Sequence, residues 1–289
     1  MTKMLSFLMA VLALSGLAQE ETTRQIWRRP PAPSAPGPGP TRPKPANVTY
    51  RPVGPAKPPS NATTSGAATV VGVTLWKLRP AKPADGARLF VLPTPGAKGA
   101  EEVPERVDPR SVLTAGDHFR LTVEAPANGY LYVIDREQYQ DGTTSAPYPI
   151  YPNYQTRSGD NVLAPGRLIE IPDQRDPVNA FELLPGRADE VAEIFSLVLS
   201  PEPLPDFRVG RDPLPRKLYD EWEKKWGVEA EQSELDGASG QAWTPKEKHA
   251  GGDHGVTLTE DDPLPQTKYR FYVKPGSPAL ILVPLKIKR

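Results

Sequence analysis

The chain has 289 residues, a formal net charge of zero and no cysteine. Without a thiol there can be no lipoprotein anchor, disulfide framework, thiol chemistry or cysteine-ligated metal. Neutrality supplies no global attraction to nucleic acid or to an anionic membrane, so neither is expected as a partner.

Lys3 precedes the apolar run Met4 to Leu14, and Gly16-Leu17-Ala18 places small residues ahead of Gln19. That layout predicts a signal peptide over 1–18, removed on export. The run is shorter than the roughly 18 residues needed to span hydrocarbon, so no stable membrane insertion is expected after cleavage. The mature chain is expected in the periplasm or outside the cell.

Residues 19–66 read as a disordered, basic, Pro-rich linker. Pro30 to Pro59 holds twelve prolines and three glycines, which predicts a solvated polyproline-II-like tether. Pro33 to Pro36 and Pro55 to Pro58 match PxxP, and Asn47 and Asn61 head glycosylation sequons. Residues 19–60 carry seven Lys/Arg against two Glu, 219–262 four Lys against twelve acids, and 263–289 six Lys/Arg and no acid. A basic–acidic–basic order of this kind suits internal neutralisation as well as it suits a partner.

From Val70 the signals turn to β-structure. Val70 to Leu78 alternates and is rich in β-branched residues, Arg88 to Val91 is a short second strand, and Glu101 to Arg110 reads as a polar connector. Phe119, Leu121 and Val123 alternate with polar residues, Ala125 to Gly129 carries turn chemistry, and Tyr130 to Ile134 is apolar on both faces. Tyr130 and Tyr132 share a face with Ile134 and suit a core. Asp141-Gly142 turns the chain into Tyr148–Tyr151, whose prolines confine it to an edge. These pieces predict an antiparallel meander over Phe119 to Tyr154. Strands follow at Arg167 to Ile171, Ala180 to Leu184 and Ile194 to Ser200. One helix is expected over Pro215 to Trp226, with Leu218, Trp222 and Trp226 docking it. Gln232 to Gly255 reads as a flexible acidic loop, and Lys268 to Lys274 with Leu280 to Lys286 as a hairpin. The expected fold is an all-β antiparallel sandwich over 67–203, with residues 204–289 adding the accessory helix, acidic loop and C-terminal hairpin.

The segments Gly72 to Pro80, Gly116-Asp117, Gly129 to Asp135, Asp141-Gly142, Tyr151-Pro152-Asn153, Pro165-Gly166 and Ile171-Pro172 resemble the bacterial domain of unknown function 4384 over about 70–203. The resemblance implies a compact β-sandwich-like module, often attached elsewhere to peptidase, kinase or envelope-associated domains. It carries over no catalytic or ligand residue.

Candidate chemistry is sparse. His249 and His254 lack zinc-motif spacing, and Asp135, Glu137, Asp141, Asn153, Asp160 and Asn161 lack the alternating spacing of a calcium loop. No metal and no cofactor is therefore expected. No nucleophile elbow or phosphate-cradling loop is present, and an enzyme is not expected. Six of the ten tyrosines fall between Tyr130 and Tyr154. Tyr148, Tyr151 and Tyr154, with Arg136, form the candidate partner-binding set, because tyrosine is rigid and amphipathic. The expected function is an exported, non-enzymatic envelope protein recognising another protein. A glycan- or peptidoglycan-binding module is the alternative, and a cryptic hydrolase the third reading.

Overall fold

The computed structural model describes residues 49–53, 66–83, 85, 90–91, 101–108, 110–184, 186–210, 212–252, 256–259 and 262–288. The signal segment 1–18, both sequon asparagines, the PxxP matches and His254 lie outside them. The described chain is an all-β sandwich of two sheets, antiparallel except for one short parallel edge pairing, with two short helices.

Sheet 1 contains β1 (Tyr50–Pro52), β2 (Ala67–Pro80), β3 (Phe90–Val91), β4 (Glu101–Val107), β6 (His118–Glu124), β10 (Leu168–Ile171), β11 (Phe181–Glu182), β13 (Glu231–Leu235) and β14 (Thr267–Val273). The long β2 organises it. Residues 67–73 pair with β14, residues 75–80 with β4, and residues 72–78 with β6 on the other flank. Sheet 2 runs β5 (Leu113–Thr114), β15 (Ala279–Lys288), β12 (Glu190–Ser200), β7 (Gly129–Tyr139), β8 (Tyr148–Tyr151), with β9 (Val162–Leu163) also on β7. The core lies between the sheets. Val71, Val73 and Leu75 of β2, Leu121 and Val123 of β6, Leu131 and Val133 of β7, and Phe195 and Leu197 of β12 all enter it. Their alternation along each strand is what directs one face of each sheet inward.

Two expected pairings are corrected by this arrangement. The strands around Ala125 to Gly129 are not partners in a meander: β6 bonds β2, β10 and β11, whereas β7 bonds β12, β8 and β9. The strands around Pro275-Gly276 form no hairpin either, since β14 bonds β2 and β13 while β15 bonds β12 and β5. Each turn instead carries the chain from one sheet to the other. Four or five extended residues reach about 13–16 Å, enough to cross the roughly 10 Å between packed sheets. Crossing lets Leu121 and Val123 face Leu131 and Val133 through the core, which a hairpin would place side by side. Because β14 and β15 are built into the two sheets, residue 203 does not divide a sandwich from an appendage.

Three further segments differ from expectation. Glu101–Val107 is strand β4, not a connector, with Val103 fully buried. Glu231–Leu235 is a strand and Pro245–Gly252 is helix α2, in place of a loop. Within the expected tether, Tyr50–Pro52 joins sheet 1 as an edge strand on β13. Its ring takes Lys268 Nζ at 3.7 Å, its hydroxyl donates to Pro265 O at 2.6 Å, and Arg51 pairs with Asp236 at 2.7 Å.

The segment leading into α2 packs against the outer face of sheet 1. Trp243 stacks on Trp76 at 5.3 Å, with Arg106 over Trp76 and Arg120 over Trp243, both at 5.2 Å. Arg106 pairs with Glu247 and Arg120 with Glu170, and all four side chains are buried. Burial pushes the Glu170 carboxyl up, to about 7, against the pull of Arg120.

Helix α1 (Arg216–Trp226) covers the outer face of sheet 2. Tyr219 and Trp222 are its buried residues, with Leu218 and Trp226 half-buried beside them. They meet Tyr132, Ile134 and Val198. β7 is thereby covered on both faces, which explains its unbroken apolar run.

Candidate functional site

The four candidate residues do not form one surface. Tyr151 has no exposed area: it belongs to the core between the sheets, and its hydroxyl donates to Asp160 O at 2.6 Å. Arg136 is buried too, its guanidinium 4.2 Å from the Tyr219 ring and 3.2 Å from Glu223 Oε1. It holds α1 to sheet 2 and is not offered to a partner. The cause is register: β7 places Arg136 on the outer face with Tyr132 and Ile134, directly under the helix. Tyr148 and Tyr154 remain outward, at 46% and 76% exposure. Tyr148 starts the edge strand β8 and Tyr154 lies three residues beyond its end, so Tyr151 separates them. Tyr132 is core, as expected, and Tyr130 packs at the margin of the same cluster.

Tyr154 is carried by a tightly held loop. Arg157 and Ser158 adopt φ of 51° and 54°, followed by Gly159 at 82°. Two successive non-glycine residues in this region cost on the order of 1–2 kcal/mol each. The surroundings impose the conformation: Asp176 accepts from Arg157 N at 3.0 Å and from Asp173 N at 2.9 Å, and Asp160 accepts from Arg157 and Arg167. Arg157 itself is buried.

The crossings generate a second feature. Ala125 to Gly129 and Val273 to Ala279 leave the sandwich at the same end, and between them lies an open cavity of about 220 Å³. Leu163, Leu199, Phe271, Val273 and Ala279 supply its apolar lining, and Ala127, Asn128, Pro201, Lys274 and Pro275 its exposed lip. Gly129 is required in the wall, because a Cβ there would meet Ser200 O at 2.5 Å. Gly276, at φ +77°, turns the opposite lip. Lys274 has no acidic partner among the described residues. Pockets of this character, apolar with a few polar groups at the mouth, are the usual form of a binding site.

At the other end of the same two strands, acids gather. Glu137 stands directly across from Glu193, and Asp135 across from Phe195, two positions along. Glu190 follows at a register shift in β12. The Asp135 and Glu193 carboxyls are within hydrogen-bonding reach of each other, and Asp135 Oδ1 and Glu193 Oε2 are covered from solvent with no donor among the described residues. Desolvation first, and then neighbouring acids, push both carboxyls up. The oxygen-bearing set that includes Asp135, Glu137, Asn153 and Asp160 in the sequence is not brought together as one site. Strand alternation was the signal that could have joined Asp135 and Glu137 to each other, but only the β7–β12 register reveals Glu193 opposite. No group of three or more metal-ligating side chains with suitable geometry occurs among the described residues, and His249 is exposed on α2.

No family model, curated protein or solved structure matches the chain.

Proposed function

We propose that the chain is an exported, non-enzymatic recognition module that binds an envelope protein by admitting one apolar side chain into the end cavity. The observation that carries this is the cavity itself, open to solvent, apolar within, and framed by the two crossings. At about 220 Å³ it is smaller than the roughly 300–1,000 Å³ that enclose a whole small molecule, and suits a single anchoring side chain. Lys274 at the lip favours an acidic residue next to that anchor in the partner. The signal-like N-terminus supports export, and the resemblance to the domain of unknown function 4384 agrees with a β-sandwich module.

Selection of a random peptide library on the purified protein tests the reading. Enriched peptides should share a large apolar residue flanked by Asp or Glu. They should lose binding to Ala127→Trp, which crowds the lip from an exposed position, and keep it with Tyr154→Ser. Peptides that bind Ala127→Trp as well as the wild type would overturn the cavity. Recovery of peptidoglycan binding, lost in Tyr154→Ser and with no peptide enriched, would establish the glycan reading in its place.

A further inference from the structure

We infer that the acid cluster at the end of β7 and β12 is a pH-operated latch: it is closed while Asp135 and Glu193 share a proton, and it loosens locally when that proton leaves. Cross-strand geometry supports this. Like charges directly opposite in a sheet repel, and Glu137 faces Glu193 in that relation. Asp135 lies on the adjacent diagonal, on the inner face with Val133; the residue is half-buried, with its Oδ1 covered from solvent. A single shared proton turns the closest of these contacts from repulsion into a hydrogen bond.

Among the described residues, the groups around the pair provide no cation to take the proton's place. From β7 come Glu137 and Tyr139, whose hydroxyl donates to Glu137 Oε2 at 2.6 Å. From β12 comes Glu190. The turn before β12 brings Arg187, but it lies on the Tyr139 ring at 3.8 Å and is paired with Asp189 at 2.7 Å. The hairpin after β7 brings Asp141, which accepts from Thr143, and β8 brings Tyr148. Lys286 of β15 is paired with Ala192 and so shares the opposite, outer face. The facing sheet presents Phe119, 5.9 Å from Phe195. Of its nearby charges, Lys77 is held by Asp117 and His118 by Glu102. The neighbouring charges that raise the two carboxyls are Glu137, Glu190 and, for Glu193, Asp135 itself.

The site is also built to open locally. The β7–β12 register already shifts between Glu190 and Ala192, and Glu190–Ala192 closes that end of the ladder. Losing the proton would add a charge within the pair where the ladder is weakest, while the pairing from Leu197 to Leu199, against Val133, Tyr132 and Leu131, carries no charge. This inference concerns the end opposite the cavity and does not depend on what the cavity binds.

Hydrogen exchange of the full mature chain, read by mass spectrometry between pH 5.5 and 9 and corrected for intrinsic exchange, tests the latch. Protection in peptides covering 133–145 and 188–195 is expected to fall at least tenfold as pH rises, while peptides at 197–201 and 279–285 hold theirs. The Asp135→Asn, Glu193→Gln double variant should keep its protection throughout. Glu137→Gln, which removes one repelling charge and leaves the pair intact, lets the proton leave more easily, so the loss should be smaller and complete at lower pH. Protection that is independent of pH in the wild type, or that falls equally in every strand, would overturn the inference. So would a double variant with an unchanged pH dependence.

Discussion

The tyrosines show how far a residue's neighbours decide its role. Tyr151 sits in the core and Tyr154 at the tip of a clamped loop, although both follow the same proline-rich turn chemistry. Their sequence context is alike, and only the register of β8 on β7, with Tyr151 opposite Val133, buries the first. Tyr151→Ser is expected to destabilise by about 3–5 kcal/mol, as for other large-to-small core changes, whereas Tyr148→Ser and Tyr154→Ser should stay within about 0.5 kcal/mol. Urea denaturation of the three variants separates them, and equal losses would contradict the assignment. Ser158 offers a cleaner test of strain. It is exposed and its φ is +54°, so Ser158→Gly should stabilise by about 1 kcal/mol. A loss would mean the conformation is not strained. Trp222→Ala should cost about 3–5 kcal/mol, because its side chain fills the space between α1 and sheet 2.

At the scale of elements, strands with strong alternation were legible and their partners were not. β2, β7 and β12 all stand near their expected positions because apolar period and β-branching mark them locally. Pairing depends on contacts distant in sequence. Pro126 with Gly129 and Pro275 with Gly276 read as hairpin turns, yet both carry the chain between sheets. Gln232 to Gly255, expected as a loop, contains a strand and a helix for a related reason. Its polar composition suggests solvent, but Trp243 and Glu247 are used against buried Trp76 and Arg106. Those partners are cationic and aromatic, so no apolar stripe announces the contact. Strand β1 was hidden by its prolines. Tyr50→Ala removes both its hydroxyl bond and its contact with Lys268, and should cost about 1–2 kcal/mol. A denaturation midpoint unchanged by Tyr50→Ala would mean that β1 contributes nothing to the fold. For the candidate site, the sequence offered rigid tyrosines, while the cavity arises from two turns about 150 residues apart that only the crossings bring together.

For the molecule as a whole, the acids divide into two groups of opposite sign. Asp117, Asp160 and Asp262 have pKa values lowered by hydrogen bonds and cations despite their burial, so their stabilisation is present above the ordinary carboxylate range and is lost as pH falls through it. Burial raises Glu170 to about 7, and burial with the neighbouring acids raises Asp135 and Glu193 as a pair. Their folded forms hold protons that the unfolded chain has released, so stability falls as pH rises from the ordinary carboxylate range through neutrality. The melting temperature should therefore peak in mildly acidic solution. A melting temperature that climbs steadily from pH 5 to pH 9 would contradict the burial of these carboxyls.

The recognition reading assigns the contact to one end of the sandwich, and the methyl groups of that end report on it directly. A methyl-labelled sample titrated with a selected peptide should show shifts at Ala125, Leu163, Leu199, Val273 and Ala279, which line the cavity. The methyls of Ala192 and Ile194, at the far end of β12, should not move. Saturable binding with the cavity methyls unmoved, and shifts elsewhere on the surface, would contradict the central claim.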